Sequence, residues 1–188
     1  MCGIAGFISP YLSRDSFNKT ITCMIDKLGH RGPDDKGIWF DSKSGIALAH
    51  SRLSIIDLSK AGHQPMISSC KRFYIVFNGE IYNHKILREE LPDSIKWIGH
   101  SDTETLIECF QELGIEKTLV NLTGMFVFAL YDIKHKIFYL GRDRFGEKPC
   151  YYSHINYSLY FSSEIKSLKK IKDIDKILDI NSIYHQLN

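Results

Sequence analysis

An α+β architecture, with helices packed outside β-sheets, is what this sequence predicts. Three observations carry that expectation. Segments with strand character far outnumber those with helical character. The helices fall in clusters and do not alternate one for one with strands, as a doubly wound parallel sheet would require. A chain of 188 residues, 44% of them apolar, can bury one full core, with at most a short appendage.

The elements follow in order. Residues 3–9 read as a buried strand whose small side chains let other backbone approach. Over residues 15–28 the apolar Phe17, Ile21, Met24, Ile25 and Leu28 recur at helical spacing, and Gly29 stands where a left-handed C-terminal cap belongs. Residues 30–34 have loop chemistry, and 37–40, 45–50 and 53–56 read as short strands. Residues 73–77 form another buried strand, expected to end at Asn78-Gly79, a common hairpin turn. Asn83 is placed to cap a helix running to Leu91 and stopping before Pro92. Asp102 or Thr103 is placed to cap a second, with Leu106, Ile107, Phe110 and Leu113 on one face before Gly114. Residues 125–132 and 136–142 make a hairpin, and 151–153 and 159–162 are two further strands. No internal repeat or low-complexity segment interrupts this order.

The charge balance, 24 Lys and Arg against 22 Asp and Glu, argues against nucleic acid or a membrane surface as the main partner. No stretch approaches the ~20 apolar residues of a membrane span, and the N-terminus lacks the pattern of a signal peptide, so the expected location is cytoplasmic. Five cysteines at positions 2, 23, 70, 109 and 150 show neither C-x-x-C nor paired His spacing, which speaks against a disulfide framework or zinc. Cys23 and Cys109 fall on the apolar faces of predicted helices as small buried hydrophobes. Cys2 stands apart because almost nothing precedes it.

Cys2 has two readings. In one, Met1 stays and Cys2 is an ordinary buried residue. In the other, Met1 is removed and Cys2 owns a free α-amine. An α-amine with a reference pKa of ~7.7 to 8.0 accepts a proton near neutrality where a lysine at ~10.4 does not. Transfer from a thiol with a reference of ~8.5 is then uphill by less than ~1 unit, so nucleophile and base come in one residue. A nucleophile attacking a carbonyl needs an oxyanion site. Asn78-Gly79 offers a side-chain amide and a backbone N–H in succession. Arg52, among apolar neighbours in SRLSII, suits a buried carboxylate, while Glu80 and Asp102 suit an ammonium. Each also has a plain structural use: an ion pair, a strand-edge charge, a helix cap. Together a thiol, two oxyanion donors, a cation and two anions fit an α-amino acid with a side-chain carbonyl.

At these residues the chain resembles the class II glutamine amidotransferases, and within them the glutaminase domain of asparagine synthetases. The matching stretches, in order, are MCGIAGF (1–7), HRGPD (30–34), RLSIID (52–57), FNGEIYN (77–83), SDTE (101–104), GMFVFALYD (124–132), GRDRFGEKP (141–149) and SSEIK (162–166). Cys150 departs from the family, where a branched aliphatic residue is usual.

The resemblance implies an N-terminal-nucleophile hydrolase fold, a four-layer sandwich of two antiparallel β-sheets between α-helix layers. It implies hydrolysis of L-glutamine to glutamate and ammonia through a cysteine thioester. Cys2 is then the nucleophile with its own α-amine as base, and Asn78 and Gly79 form the oxyanion site. Arg52 takes the substrate α-carboxylate, Glu80 and Asp102 its α-ammonium, and Leu53, Ser54, Ile55 and Ile56 complete the substrate-binding stretch. HRGPD and GRDRFGEKP carry no obvious catalytic group and read as loop structure.

Residues 1–168 would be the glutaminase domain and 169–188 the start of a linker to a synthetase domain, whose pyrophosphate loop is not in this chain. By the same resemblance the domain needs no cofactor or metal; ATP and Mg2+ would serve only the synthetase domain. The implied partners are glutamine and a C-terminal ATP-dependent synthetase domain or a separate acceptor enzyme, with a homodimer as one allowed assembly. Asparagine synthesis is the default use of the ammonia. Amidation of a sugar carboxylate in surface-polysaccharide synthesis is a second. A non-catalytic glutamine-binding regulatory module is a reading of another class.

Overall fold

The computed structural model describes residues 1–55, 57–174 and 177. Its elements are β1 (Gly3–Ile8), α1 (Arg14–Asp26), β2 (Asp35–Asp41), β3 (Ile46–Arg52), β4 (Met66–Ile67), β5 (Phe73–Ile81), α2 (His84–Glu89), α3 (Asp102–Glu112), α4 (Ile115–Asn121), β6 (Gly124–Asp132), β7 (Ile137–Arg142), β8 (Tyr151–Ile155), β9 (Ser158–Ser162) and α5 (Ile165–Leu168). All strand pairs are antiparallel, in a five-stranded sheet of order β2-β3-β1-β9-β8 and a four-stranded sheet of order β4-β5-β6-β7.

The apolar residues divide into three layers, and the period of two along each strand decides which layer a residue joins. Ile4, Leu48, Val76, Val127 and Phe161 fill the space between the sheets. Phe7 and Ala49, one step out of phase, pack under α1 and α5 with Phe17, Ile21, Ile25 and Leu168. Ile75 and Phe77 face the other way, against Leu87 of α2 and Leu106 and Phe110 of α3. Strands buried on both faces read as continuous apolar runs, so these segments show little alternation. The result is the expected four-layer sandwich.

Several local expectations are corrected. α1 ends at Lys27 in the right-handed region, and Gly29 opens a short 3-10 turn with no left-handed cap. Cys23 is exposed on α1, whereas Cys109 is buried. Leu53 to Ile55 are not strand, because β3 ends at Arg52; Ile56 lies outside the described residues. Ser101, not Asp102 or Thr103, caps α3, its hydroxyl accepting from Glu104 N at 3.1 Å. The Asn83 side chain does not cap α2; it joins Asn121 O and Thr123 N, tying the start of α2 to the end of α4. Most consequential, β5 does not stop at Asn78-Gly79 but runs through it to Ile81. Beyond α5, Ile171 and Ile174 pack against the α1 cluster, while residues 175, 176 and 178–188 lie outside the described set.

Candidate active site

The period of two that assigns the core also assigns the site. His50 and Arg52 continue the inter-sheet face of β3 begun by Ile46 and Leu48. Asn78 and Glu80 continue that of β5 after Val76, and Cys2 precedes Ile4 on β1 by two residues. Where the apolar side chains end, polar ones begin, and they open into a cavity of about 180 Å³. Cys2, His50, Arg52, Leu53, Ile55, Asn78, Gly79, Glu80 and Asp102 line it, so all but two of the predicted site residues converge there. The exceptions are Ser54, whose backbone N–H is taken by Asp34 Oδ2 at 2.8 Å, and the undescribed Ile56. Ile55 stands at the rim, largely exposed.

The Cys2 thiol is held by one backbone residue: Leu53 N–H donates to Sγ at 3.3 Å and Sγ lies 3.6 Å from Leu53 O. The Cys2 carbonyl accepts from Arg31 Nε at 2.9 Å. Arg31 is in turn paired with Glu164, which also meets His30 and Lys166. Burial pushes the Glu164 carboxyl up, but bonds from Lys166, Arg31 and His30 outweigh it and bring the group down to about 2. HRGPD and SSEIK, unassigned in the sequence, thus meet behind Cys2.

The edge of β5 supplies the rest. β4 covers only Tyr74 and Ile75, so beyond them β5 has an unpaired side. In an antiparallel pair successive N–H groups alternate between the partner strand and the opposite edge. Phe77 N–H points to that edge and is taken by Gln64 Oε1 at 2.7 Å, and Ile81 N–H by Asp102 Oδ2 at 3.0 Å. Phe126, opposite Gly79, has both its backbone groups on Asp143. Gly79 N–H, between the two satisfied donors, is therefore directed to the same edge and the cavity. A Cβ at Gly79 would come within 2.4 Å of Met125 O, so only glycine fits. Asn78 is 2% exposed, and its Nδ2 has no hydrogen-bond partner among the described residues.

Arg52 is buried, yet its guanidinium bonds two backbone carbonyls, Ser59 O at 2.8 Å and Asp57 O. No carboxylate lies within 4 Å of it among the described residues, although the Asp57 carboxylate is near enough to feel its charge, so the guanidinium stands at the cavity wall without a direct ion pair. Gly62 packs against this guanidinium, where a Cβ would meet Nη2 at 2.1 Å. Asp57 ties the two walls together, accepting from Ser59 N at 2.8 Å and from His100 N at 3.1 Å. Burial pushes the Asp102 carboxyl up to about 6, against the bonds it receives from Ile81 and Thr103 N–H.

Sequence reasoning missed several lining residues, His50, Gln64, Asp57 and Lys148 among them. His50 donates from Nε2 to Phe77 O at 3.1 Å, which fixes its tautomer, and burial pushes its pKa down to about 3, so it stays neutral. Gln64, besides holding Phe77 N–H, donates to Thr103 Oγ1 at 3.2 Å, bracing β5 against the start of α3. Asp57 and Lys148 also line the cavity. The apolar context of His50 and the buried position of Gln64 carry no local pattern; only the pairing of distant strands reveals them. Replacing Gln64 with Leu orphans the buried Phe77 N–H, with an expected loss of ~1–3 kcal/mol of stability, read as a lower urea midpoint at unchanged m.

Comparison with known proteins agrees with this geometry. The profile of the family described as "Glutamine amidotransferase domain" matches residues 1–188. Putative asparagine synthetase [glutamine-hydrolyzing] 2 of Methanocaldococcus jannaschii is 36% identical over 96% of this chain and 37% of its own length. Asparagine synthetase B [glutamine-hydrolyzing] of Escherichia coli is 38% identical over 89% of this chain and 30% of its own, and amidase chry2 of Gibberella zeae 36% identical over 89% and 26%. The chain thus spans between about a quarter and two fifths of these relatives. Among solved structures, glutamine phosphoribosylpyrophosphate amidotransferase from Bacillus subtilis superposes with a TM-score of 0.71 at 18% identity, over 89% of this chain and 43% of that one, which gives the same fold. With its sandwich of antiparallel sheets and its cysteine at the mouth between them, this chain belongs to the glutamine amidotransferase domain family.

Proposed function

We propose that residues 1–168 hydrolyse L-glutamine at this cavity once Met1 has been removed, and that residues 169–188 begin the connection to an ammonia-consuming synthetase domain. The observation that carries this reading is the convergence of a backbone-held thiol, an Asn78 Nδ2 without a partner among the described residues, the Gly79 N–H and an Arg52 guanidinium bonded to backbone carbonyls and to no carboxylate among those residues. Arg52 binds the substrate α-carboxylate, and Asp102 with Glu80 its α-ammonium, which aims the side-chain amide at Cys2. The Cys2 α-amine takes the thiol proton, and Sγ attacks the amide carbon. The oxygen becomes an oxyanion between Asn78 Nδ2 and Gly79 N–H. Collapse breaks the C–N bond, the proton passes from the amine to the leaving nitrogen, and ammonia departs. Water, deprotonated by the same amine, opens the thioester to glutamate. No metal or redox group enters any step. Asparagine synthesis is the proposed destination of the ammonia, supported by the synthetase relatives.

The test is the intact mass before and after treatment with a diazo-ketone analogue of glutamine. Loss of Met1 and a single adduct on Cys2 support the proposal; a processed chain that takes no adduct overturns it in favour of a binding module.

Asp102 adds a pH signature. With its folded pKa raised to about 6, the carboxylate that holds the α-ammonium is lost as pH falls through that value. KM for glutamine should rise below about pH 6, and Asp102→Asn should have a high KM without that dependence. For folding the sign is opposite. Stability from this group is fully present below the unfolded value of 3.8 and is lost as pH rises through about 6.

A further inference from the structure

GRDRFGEKP forms a tight loop wound around one carboxylate. Asp143 Oδ1 accepts from Phe145 N and Glu147 N, and Oδ2 from Lys148 N and Phe126 N, so the loop is pinned to β6 directly opposite Gly79. Arg142 clamps the far side through Gly146 O and Lys148 O. The Lys148 side chain so presented is 6% exposed and lines the glutamine cavity. Its ammonium has no carboxylate within 4 Å among the described residues; its one partner there is the Met1 thioether, 3.5 Å away. A buried ammonium resting on a thioether is poorly compensated. Met1 is bonded to Cys2, so this charge is separated from the Cys2 nitrogen by one methionine side chain and a 3.5 Å contact.

We propose that Lys148 is a positioning residue for the glutamine reaction, acting through Cys2: its fixed positive charge holds the liberated α-amine in the free-base form that accepts the thiol proton. The proposal rests on the glutamine reading above. Like charges disfavour one another's protonated forms, and in the cavity wall screening by water is weak. None of the carboxylates of this cavity lies within 4 Å of the Lys148 ammonium among the described residues, so none pairs with it directly. Arg31, on the Cys2 carbonyl, is held by Glu164, and Arg52 adds a second positive charge. His50 is neutral. Asp57 is engaged by Ser59 and His100 N–H, and Asp102 by Ile81 and Thr103 N–H. Glu80 is exposed at the rim.

The experiment uses protein freed of Met1, verified by mass, as wild type, Lys148→Met and Lys148→Arg. The pH profile of kcat/KM for glutamine is measured beside an NMR titration of the 13C-labelled Cys2 α-carbon, which needs no turnover. Lys148→Met should move the acid limb up by about one pH unit, an about tenfold loss near pH 6.5 that vanishes by pH 9, while Lys148→Arg follows wild type. Superimposed profiles and unchanged amine titration in Lys148→Met overturn the proposal. If Lys148→Met does not fold, a wild-type amine titrating at or above the ordinary ~7.7 to 8.0 overturns it equally, and one titrating below supports it. Absence of glutamine hydrolysis in wild type would strike the glutamine reading alone, since the titration still reports on Lys148.

Discussion

Cys2→Ala should reduce glutamine hydrolysis by about 10⁶, the scale seen when a covalent nucleophile is removed, while leaving the fold and glutamine binding in place. The thiol is half-buried and, among the described residues, is hydrogen-bonded only to the backbone of Leu53, so truncation removes few packing contacts and frees one part-buried donor, the Leu53 N–H. Arg52 and Asp102, which would hold the amino-acid end of the substrate, make their bonds without Cys2. Calorimetry on the variant should therefore still detect glutamine, with the unfolding midpoint unchanged. Cys2→Ser should be nearly as inactive, because its hydroxyl is a far poorer partner for an α-amine base than a thiol. Turnover of the Ala variant within tenfold of wild type would remove Cys2 from the chemistry altogether.

Much of this was legible in the chain because the same residues serve both fold and site. Apolar runs on β1, β3, β5 and β6 announce strands buried on both faces, and Arg52 and Asn78 are the polar residues with which two of those runs continue. The miss at Asn78-Gly79 has a physical cause. The pair is a strong local turn signal, but here β6 offers a full partner over nine positions, and long-range pairing overrides the local preference. Ser101 outcompetes Asp102 as the cap because the Asp102 carboxylate is engaged by Ile81 N–H on the neighbouring strand. Cys23 was misplaced for a simpler reason: α1 buries the face of Phe17, Ile21 and Met24, and Cys23 lies off it. Gln64 and Lys148 were invisible because their meaning depends on β5 having an open edge and on a loop that folds around Asp143. Neither fact has a signature in residue spacing.

That open edge also determines what Asn78→Ala should do. Its peptide neighbours are fixed independently of its side chain: Phe77 N–H by Gln64, Phe77 O by His50, and its own backbone by pairing with Val127. The strand should therefore stay where it is. Asn78 Nδ2 has no partner among the described residues, so its removal costs no hydrogen bond there and relieves a buried donor of its desolvation penalty. Thermal stability should hold or rise slightly. A donor that is idle in the resting protein but costly to bury is useful only to a charge that appears later, and the oxyanion is the one charge the proposed reaction creates at this edge. The variant should thus lose ~10²–10³ in kcat, about 2.7–4 kcal/mol, with KM for glutamine little changed, because the lost bond strengthens in the transition state and not in the substrate complex. The split between kcat and KM is the decisive measurement. A rise in KM at constant kcat would mean that Asn78 binds the ground-state amide, and the oxyanion would then rest on Gly79 N–H alone.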